Sequence, residues 1–422
     1  MTKIAERRSI LSVLGPGLVT GAADDDPSGI GTYSQVGAQF GYAMGWSLLF
    51  GFPLLVAIQE ICGRIGAVTG RGIAANLRRH YSRRLLLSAT LLLLVANVIN
   101  LGADLGAMGA ALALVLPGKA LVYTIGLAVL SILAEVFIPY SRYVRLLKWS
   151  TLSLFAYIGV AFVVRVPLDE AVRGLVLPTM HFDSAHAMAL VAIFGTTISP
   201  YLFFWQAGQE VEERRRRHAK PLCITPKTAG PELRRIRIDT MVGMGFSHVT
   251  ALFIMVATAA TLHSAGINEI GSAAQAAEAL RPIAGESATV LFALGIVGTG
   301  MLAVPTLAGS AAYALSETFR WVEGLDRKPR EAKAFYAAIA LATLGGLAMN
   351  LTAIDPMKAL YWTAVINGLL APPLMVFTMM IAHNRRIMGQ LTISTPMAAT
   401  GWLATLVMTV AALAFLLAPL AD

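Results

Sequence analysis

The chain has 422 residues, of which 56% are hydrophobic and only 14% are charged, and its mean hydropathy is +0.68. Soluble domains carry about 25% charged residues, so the composition excludes an ordinary soluble domain and indicates a polytopic membrane protein. Its apolar runs are long and continuous, which predicts helices as the spanning elements. The net charge of +9 does not indicate a nucleic-acid partner, because the basic residues lie between the apolar segments, where they set topology.

Eleven apolar segments predict eleven transmembrane helices in a single transmembrane domain over residues 1–422. Their approximate cores are residues 11–37, 42–63, 85–116, 120–139, 149–165, 188–209, 239–262, 287–316, 334–353, 359–382 and 398–419.

The basic residues also predict the orientation of these spans. If the N-terminus is cytoplasmic, 28 of the 33 Lys and Arg residues fall on the cytoplasmic side. Because cytoplasmic loops are enriched in Lys and Arg, we expect a multi-pass protein of the inner (plasma) membrane with its N-terminus inside and its C-terminus outside. The sequence leaves the oligomeric state open and is compatible with a monomer.

The first span contains three consecutive acidic residues, Asp24, Asp25 and Asp26, which Pro27 and then Gly29 follow closely. Carboxylates at this depth are costly and persist mainly where they face a polar cavity or a cation. The proline and the glycine interrupt the helix at the same point, which frees backbone carbonyls beside the acids. A simple proline kink is the alternative, but a kink leaves the acids unexplained. The segment therefore predicts a cation site.

The sixth span is interrupted in a similar way, by Gly195, small hydroxyl residues and Pro200. Broken helices at matching positions of two inverted repeats mark the midplane site of many transporters. The spacing therefore predicts two five-helix repeats, spans 1–5 and 6–10, and one additional C-terminal helix. These three parts comprise residues 11–165, 188–382 and 398–419.

Polar residues also occur in the third and tenth spans. Asn97, Asn100 and Asp104 share one helix face, where they either line the pathway or make the interhelical hydrogen bonds that are usual for membrane asparagines. A buried carboxylate is the more expensive group, which favours a pathway role for Asp104. Asn367 either offers its amide oxygen to a cation or forms hydrogen bonds with backbone groups that lose their helical partners at Pro372 and Pro373.

Several segments resemble the NRAMP family of divalent-metal transporters, which have the LeuT-type inverted-repeat fold. The similarity runs through about residues 11 to 390, and it includes residues 14–18, 37–42 and 68–71. It implies an all-α membrane transporter whose metal ion is the transported substrate and not a bound cofactor.

The first break departs from the family motif. The family's Asp-Pro-Gly-Asn reads Asp-Pro-Ser-Gly at residues 26–29, so the metal-binding Asp falls on Asp26 and the Asn falls on Gly29. The resemblance also implies that the freed carbonyl of Ala23 contributes an oxygen.

The sixth and third spans depart as well. The family's Ala-Thr-Val-Met-Pro-His reads Thr-Thr-Ile-Ser-Pro-Tyr here. The Ala whose carbonyl the family uses therefore falls on Thr196, the Met on Ser199 and the His on Tyr201. In the third span, Asp-Leu-Ala-Glu reads Asp-Leu-Gly-Ala, which keeps the acid as Asp104 and replaces the Glu by Ala107.

These departures look like those of a divergent branch, the NRAMP-related magnesium transporters. A thioether suits soft or borderline transition metals, whereas oxygen ligands suit Mg²⁺ and Mn²⁺, so Ser199 in place of Met removes a discriminator against hard ions. Gly29 in place of Asn opens room for a partly hydrated ion, because Mg²⁺ dehydrates reluctantly. The hydroxyls of Thr196 and Ser199 can serve its waters as donors or acceptors.

The same departures weaken proton coupling. Proton relays in transporters use Asp, Glu and His chains, and two members of the family's network are Tyr201 and Ala107 here. A tyrosine is a poor proton carrier near neutral pH. We therefore expect import of Mg²⁺ and Mn²⁺ by alternating access, driven by the membrane potential without protons. The retained Asp104 keeps a proton-coupled mechanism as an alternative.

The predicted site combines these residues. Asp26 binds the cation directly, since an ionised carboxylate is the strongest ligand available there. The carbonyls of Ala23 and Thr196 add oxygens, and Gly29 and Ser199 shape the hydrated shell. The residues expected along the pathway or around the ligands are Asp24, Asp25, Asn100, Asp104, Tyr201 and Asn367.

Other functions remain open. A proton-coupled Mn²⁺/Fe²⁺ importer of the same family differs in ion selectivity and proton movement. A transporter of an organic substrate, such as an amino acid, is disfavoured because a substrate carboxylate needs helix N-termini free of negative charge. An enzyme is not expected, since the sequence has neither a His-Glu-x-x-His zinc motif nor a Gly-x-Ser-x-Gly elbow. No cofactor is expected.

Overall fold

The computed structural model describes residues 15–138, 154–179, 181, 183–352 and 354–418. These residues form helices and loops and contain no strand. The α-helices, in chain order, are α1 (Pro16–Asp24), α2 (Pro27–Phe40), α3 (Gly45–Thr69), α4 (Ile73–His80), α5 (Arg83–Val115), α6 (Ala120–Phe137), α7 (Phe155–Val163), α8 (Leu168–Val176), α9 (Ser184–Thr197), α10 (Pro200–Arg216), α11 (Ala229–Thr261), α12 (Ala273–Glu278), α13 (Arg281–Ala284), α14 (Ala288–Phe319), α15 (Lys333–Met349), α16 (Pro356–His383), α17 (Arg385–Met388) and α18 (Thr395–Leu417).

The predicted all-α membrane fold is confirmed, while the number of eleven spans stays a prediction. Within the described residues, eight segments are long and apolar enough to cross a membrane: Gly45–Thr69, Arg83–Val115, Ala120–Phe137, Ser184–Arg216, Pro226–Ala265, Arg281–Phe319, Pro356–His383 and Thr395–Leu417. The first predicted span appears as two shorter helices, α1 and α2, and the ninth is the 17-residue α15. The fifth predicted span lies partly in residues 149–153, outside the described part, and α7 is what the structure describes of it.

The largest difference from the predicted boundaries occurs at α11, which begins ten residues before the predicted core at residue 239. The first turns of this helix are charged, which a hydropathy pattern excludes from a span. Arg235 contacts Glu232 at 2.8 Å and Asp239 at 3.5 Å within the helix, and it also pairs with Glu210 of α10. Ion pairs therefore extend α11 beyond its apolar part.

Both predicted helix interruptions are present. α1 ends at Asp24 and α2 begins at Pro27, while α9 ends at Thr197 and α10 begins at Pro200. A proline at the first position of a helix has a suitable φ and lacks an N–H that would have no partner in that helix. Each proline therefore starts the second half of its span and separates it from the first half.

α1 packs on α11 with the two backbones in direct contact. A Cβ atom at Gly21 would lie 2.1 Å from the carbonyl oxygen of Gly243, and one at Gly243 would lie 2.1 Å from that of Gly17. Small residues allow membrane helices to approach this closely. The carboxylate of Asp239 in α11 also accepts hydrogen bonds of 2.8 to 3.1 Å from three amides at the start of α1. These contacts fix α1, and with it the acidic residues at its end.

α5 packs along α14 and also contacts α2, α6, α15 and α16. Asn97 of α5 donates a 2.8 Å hydrogen bond to the carbonyl of Leu307 in α14. Of the two predicted roles for the polar face of this helix, Asn97 therefore has the interhelical one. Asn100 and Asp104, one and two turns further on, lie at the broken ends of the first span.

Candidate metal-transport site

Asp26 lies where the two broken spans meet α5. As the N-cap residue of α2, its Oδ1 accepts a 2.6 Å hydrogen bond from the Gly29 amide. Its Oδ2 accepts from the Asn100 amide group at 3.1 Å and lies 3.3 Å from the Tyr201 hydroxyl. N-capping explains why an acid precedes Pro27. The structure thus brings together Asp26, Gly29, Asn100 and Tyr201, while their role in binding a metal ion stays a prediction.

The carbonyls of Ala23 and Thr196 are both covered by hydroxyl donors. The Tyr201 hydroxyl donates to Ala23 O at 2.9 Å, and the Ser199 hydroxyl donates to Thr196 O at 2.8 Å. The Ser199 hydroxyl also lies 2.8 Å from Gly195 O. The predicted ligand carbonyls are therefore at the breaks, but each already accepts a hydrogen bond.

Gly29 marks a position surrounded by oxygen atoms. A Cβ atom at Gly29 would lie 3.2 Å from Asp24 O, 3.3 Å from Thr196 Oγ1 and 3.4 Å from Asp26 Oδ1, which are the nearest atoms apart from those of Gly29, its two chain neighbours and the backbone of its own helix. The main-chain oxygen of Asp24 did not figure in the sequence prediction. In a regular helix this oxygen would accept from the Ser28 amide, but that amide donates to Asp104 Oδ1 at 3.2 Å. A tertiary contact that the sequence does not reveal therefore leaves Asp24 O available.

Asp24 and Asp25 were expected to line the approach to the site, and in this structure they are buried. The Ser247 hydroxyl of α11 lies 2.6 Å from Asp24 Oδ2 and 3.1 Å from Asp25 Oδ1. Sequence reasoning missed Ser247, since one serine within an apolar span gives no signal of its own. It connects the acidic end of α1 to α11.

Ser28 joins the start of α2 to two other helices. Its amide donates to Asp104 of α5, and its hydroxyl donates to Leu360 O of α16 at 3.1 Å. Asn367 lies buried further along α16, where Gly368 packs on Gly195 of α9. Among the described residues, no hydrogen bond joins Asn367 to Asp26.

The site gathers four carboxyl groups away from water. Asp24, Asp25, Asp26 and Asp104 are each at most 2% exposed, and none of them forms an ion pair with a residue that the structure describes. Within the same ranges, one oxygen each of Asp24, Asp25, Asp104 and Asn100 lacks a hydrogen-bond partner. A buried carboxylate is stable only with a compensating positive charge or with a bound proton, so this arrangement can accommodate a cation.

The fold and the site define a multi-pass α-helical membrane transporter with broken first and sixth spans. The chain belongs to the Nramp family: the family model described as natural resistance-associated macrophage protein-like matches residues 17–418. It is 25% identical to the divalent metal cation transporter MntH of Klebsiella pneumoniae over 419 residues, which cover 94% of this chain and 92% of that relative.

Solved structures show the same fold. A manganese transporter of Eremococcus coleocola superposes with a TM-score of 0.74 at 16% identity, covering 98% of this chain and 88% of that one. Mhp1, a nucleobase-cation-symport-1 family transporter, superposes with a TM-score of 0.57 at 14% identity, covering 95% and 92%. The LeuT-type fold is thereby confirmed. The chain is a divalent metal cation transporter of the Nramp type, and this family is not a class of enzymes.

Proposed function

We propose that this transporter imports Mg²⁺ and Mn²⁺ without protons, and that Asp26 binds the ion directly. The observation that carries the proposal is that Asp24 O, Thr196 Oγ1 and Asp26 Oδ1 converge beside Gly29, each within 3.2 to 3.4 Å of where a Cβ atom would stand. All three are oxygen atoms, which hard divalent cations prefer, and none is the sulfur that favours softer metals.

Partial hydration of the bound ion is the second element of the proposal. The side-chain oxygens that lack a partner in the described part of the chain belong to Asp24, Asp25, Asn100 and Asp104. As carboxylate and amide oxygens they are acceptors, and the waters of a hydrated cation present donors. Because Mg²⁺ usually keeps several waters, a site rich in free acceptors suits it.

The driving force follows from the charge of the ion. A divalent ion that crosses the whole membrane field gains about 4.6 kcal/mol per 100 mV, from about 2.3 kcal/mol for each charge. Inward transport therefore needs no coupled proton. We propose that the repeats, residues 11–165 and 188–382, rock against each other around the site to expose it alternately to the two sides.

Uptake into proteoliposomes tests the proposal. Wild-type protein should take up Mg²⁺ and Mn²⁺ under an inside-negative potential without acidifying an internal pH dye. Asp26→Ala should abolish uptake of both ions. The matched control is Glu269→Gln, because Glu269 is exposed in a loop and pairs at 3.2 Å with Lys358 in the first turn of α16. Normal uptake by Asp26→Ala would remove Asp26 from the site, and metal-dependent acidification would refute uncoupled transport.

A proton-coupled Mn²⁺/Fe²⁺ importer is the second candidate. The observation in its favour is Asp104, which is fully buried and has one oxygen without a partner among the described residues. Such a carboxylate can carry a proton. This candidate predicts acidification in step with Mn²⁺ uptake and no competition by excess Mg²⁺, whereas the first candidate predicts no acidification and competition by Mg²⁺.

We also propose a cytoplasmic N-terminus and an external C-terminus in the inner membrane. The native cysteines allow a direct test, because Cys223 is exposed in the loop before α11 whereas Cys62 is buried. A membrane-impermeant maleimide should label Cys223 in inside-out vesicles and leave it unlabelled in intact cells. The reverse pattern would invert the topology.

A further inference from the structure

At each of the two helix breaks, a backbone carbonyl lacks the amide that would donate to it in a regular helix. In an α-helix, each carbonyl accepts from the amide four residues later. Four residues after Ala23 stands Pro27, and four residues after Thr196 stands Pro200. Proline has no amide hydrogen, so both carbonyls lose their helical donor.

In each break a hydroxyl from the sixth span lies at the carbonyl that lost its donor. The Tyr201 hydroxyl donates to Ala23 O at 2.9 Å. The Ser199 hydroxyl lies 2.8 Å from Thr196 O and also 2.8 Å from Gly195 O, so these two carbonyls share its one proton. Both side chains are 1% exposed, so water does not compete for them. The same Tyr201 hydroxyl lies 3.3 Å from Asp26 Oδ2, which places the covered Ala23 carbonyl beside the proposed metal ligand.

We infer that Tyr201 and Ser199 determine ion selectivity, because their hydroxyls keep the two proline-freed carbonyls from coordinating the ion directly. The inference rests on the proposed function, in which the ion binds at Asp26. A carbonyl that accepts a hydroxyl proton is a poorer ligand, and the hydroxyl oxygen offers lone pairs to a metal-bound water instead. The ion therefore keeps waters that bare carbonyls would displace.

This arrangement acts on ions according to their cost of dehydration. Mg²⁺ gives up its waters reluctantly, so it benefits more than Mn²⁺ from covered carbonyls. Removing either hydroxyl bares one carbonyl and should favour Mn²⁺. From the usual contribution of one hydrogen bond, each removal should raise the Mn²⁺-to-Mg²⁺ uptake ratio by about three- to tenfold.

The direct experiment counts the waters on bound Mn²⁺. Protein in detergent is loaded with Mn²⁺ in ¹⁷O-enriched water, and pulsed EPR reports the number of water ligands. Tyr201→Phe and Ser199→Ala should each reduce that number by at least one relative to wild type. Each variant loses a single oxygen atom, and either one suffices if the other fails to fold.

Two controls remove buried hydroxyls elsewhere. Thr197→Val takes away a hydroxyl that donates to Ile193 O at 2.9 Å within α9, and Tyr157→Phe takes one away from α7. Both controls should retain the wild-type water count and uptake ratio. An unchanged water count in Tyr201→Phe and Ser199→Ala would overturn the inference.

Uptake assays separate this inference from the proposed function. If wild-type protein failed to transport Mg²⁺, the proposed function would fail, whereas the Mn²⁺ water count would still decide the role of the hydroxyls. If wild-type protein transported Mg²⁺ but Tyr201→Phe kept the wild-type Mn²⁺-to-Mg²⁺ ratio, the selectivity role would be refuted and the proposed function would stand.

Discussion

Gly29→Ala adds the smallest side chain beside the proposed cation position, and it should reduce transport while changing stability little. The added methyl would lie 3.2 to 3.4 Å from Asp24 O, Thr196 Oγ1 and Asp26 Oδ1. These contacts are close, and a displacement of a few tenths of an ångström relieves them. The substitution therefore leaves the fold intact but places an apolar group among the three oxygens that the ion would contact.

The expected effect on stability is small because two contributions oppose each other. Alanine is favoured over glycine inside a helix by about 1 kcal/mol, and Gly29 lies in the first turn of α2. The three close oxygen contacts act in the other direction. The free energy of unfolding should therefore stay within about 1 kcal/mol of wild type, while Mg²⁺ uptake should fall by at least tenfold, or about 1.4 kcal/mol in transition-state terms.

The assay pairs Mg²⁺ uptake in proteoliposomes with thermal unfolding in detergent. Gly126→Ala in α6 is the matched control, because a Cβ there meets no atom within 4 Å among those described. It should gain helix stability without losing transport. Wild-type uptake by Gly29→Ala would show that the ion does not pass the point among the three oxygens. A large drop in the unfolding temperature would refute the argument that the contacts are relieved by small shifts.

Three further substitutions test other parts of the structure. Asp104→Asn keeps an acceptor for the Ser28 amide and removes a charge. Mg²⁺ uptake should therefore persist with a raised KM and still without proton movement. If wild-type protein acidified the liposome interior and Asp104→Asn did not, uncoupled transport would be contradicted. Glu317→Ala removes the carboxylate that accepts from the Gly72 and Ala75 amides at the start of α4, and denaturation should show a loss of about 2 kcal/mol, since each bond contributes about 1 kcal/mol. Gly243→Ala places a Cβ 2.1 Å from Gly17 O, which forces α1 away from α11; thermal unfolding should show a cost of about 1 to 3 kcal/mol, and uptake should fall because Asp24 moves with α1. Wild-type stability of Glu317→Ala would contradict the hydrogen bonds at the start of α4, and wild-type stability of Gly243→Ala would contradict the close packing of α1 on α11.

The sequence was sufficient for the fold because its signals are local. A membrane requires every spanning segment to satisfy its own backbone, so long apolar runs become helices whatever their partners are. The interruptions were predictable for the same reason, since Pro27 and Pro200 act on their own helices. The charged start of α11 was missed, because hydropathy measures apolar length, and the ion pairs of Arg235 continue the helix outside the apolar part.

The site was only partly predictable because its geometry depends on contacts between distant segments. Asp26, Gly29, Asn100 and Tyr201 were expected together and lie together. The role of Ser247 was not foreseen, because nothing in the sequence indicates that α11 packs on α1 at the acidic residues. Asp24 and Asp25 were recognised by their chemistry, whereas their burial follows from that packing.

The two covered carbonyls differ in a way that bears on transport. Ser199 contacts Thr196 O and Gly195 O within one break, three and four residues away, so this contact is local to the sixth span. Tyr201 bonds Ala23 across 178 residues and joins α10 to α1. Any motion that separates these half-helices uncovers Ala23 O, whereas the contact at Thr196 O does not depend on the distance between α10 and α1. If Ala23 O is exposed in only one conformation, the protein binds the ion more strongly in that conformation. A bound ion shifts the equilibrium between two conformations only by such a difference in affinity. The first break is therefore where ion binding can be coupled to the change of access, while the second can contribute to selectivity in every state.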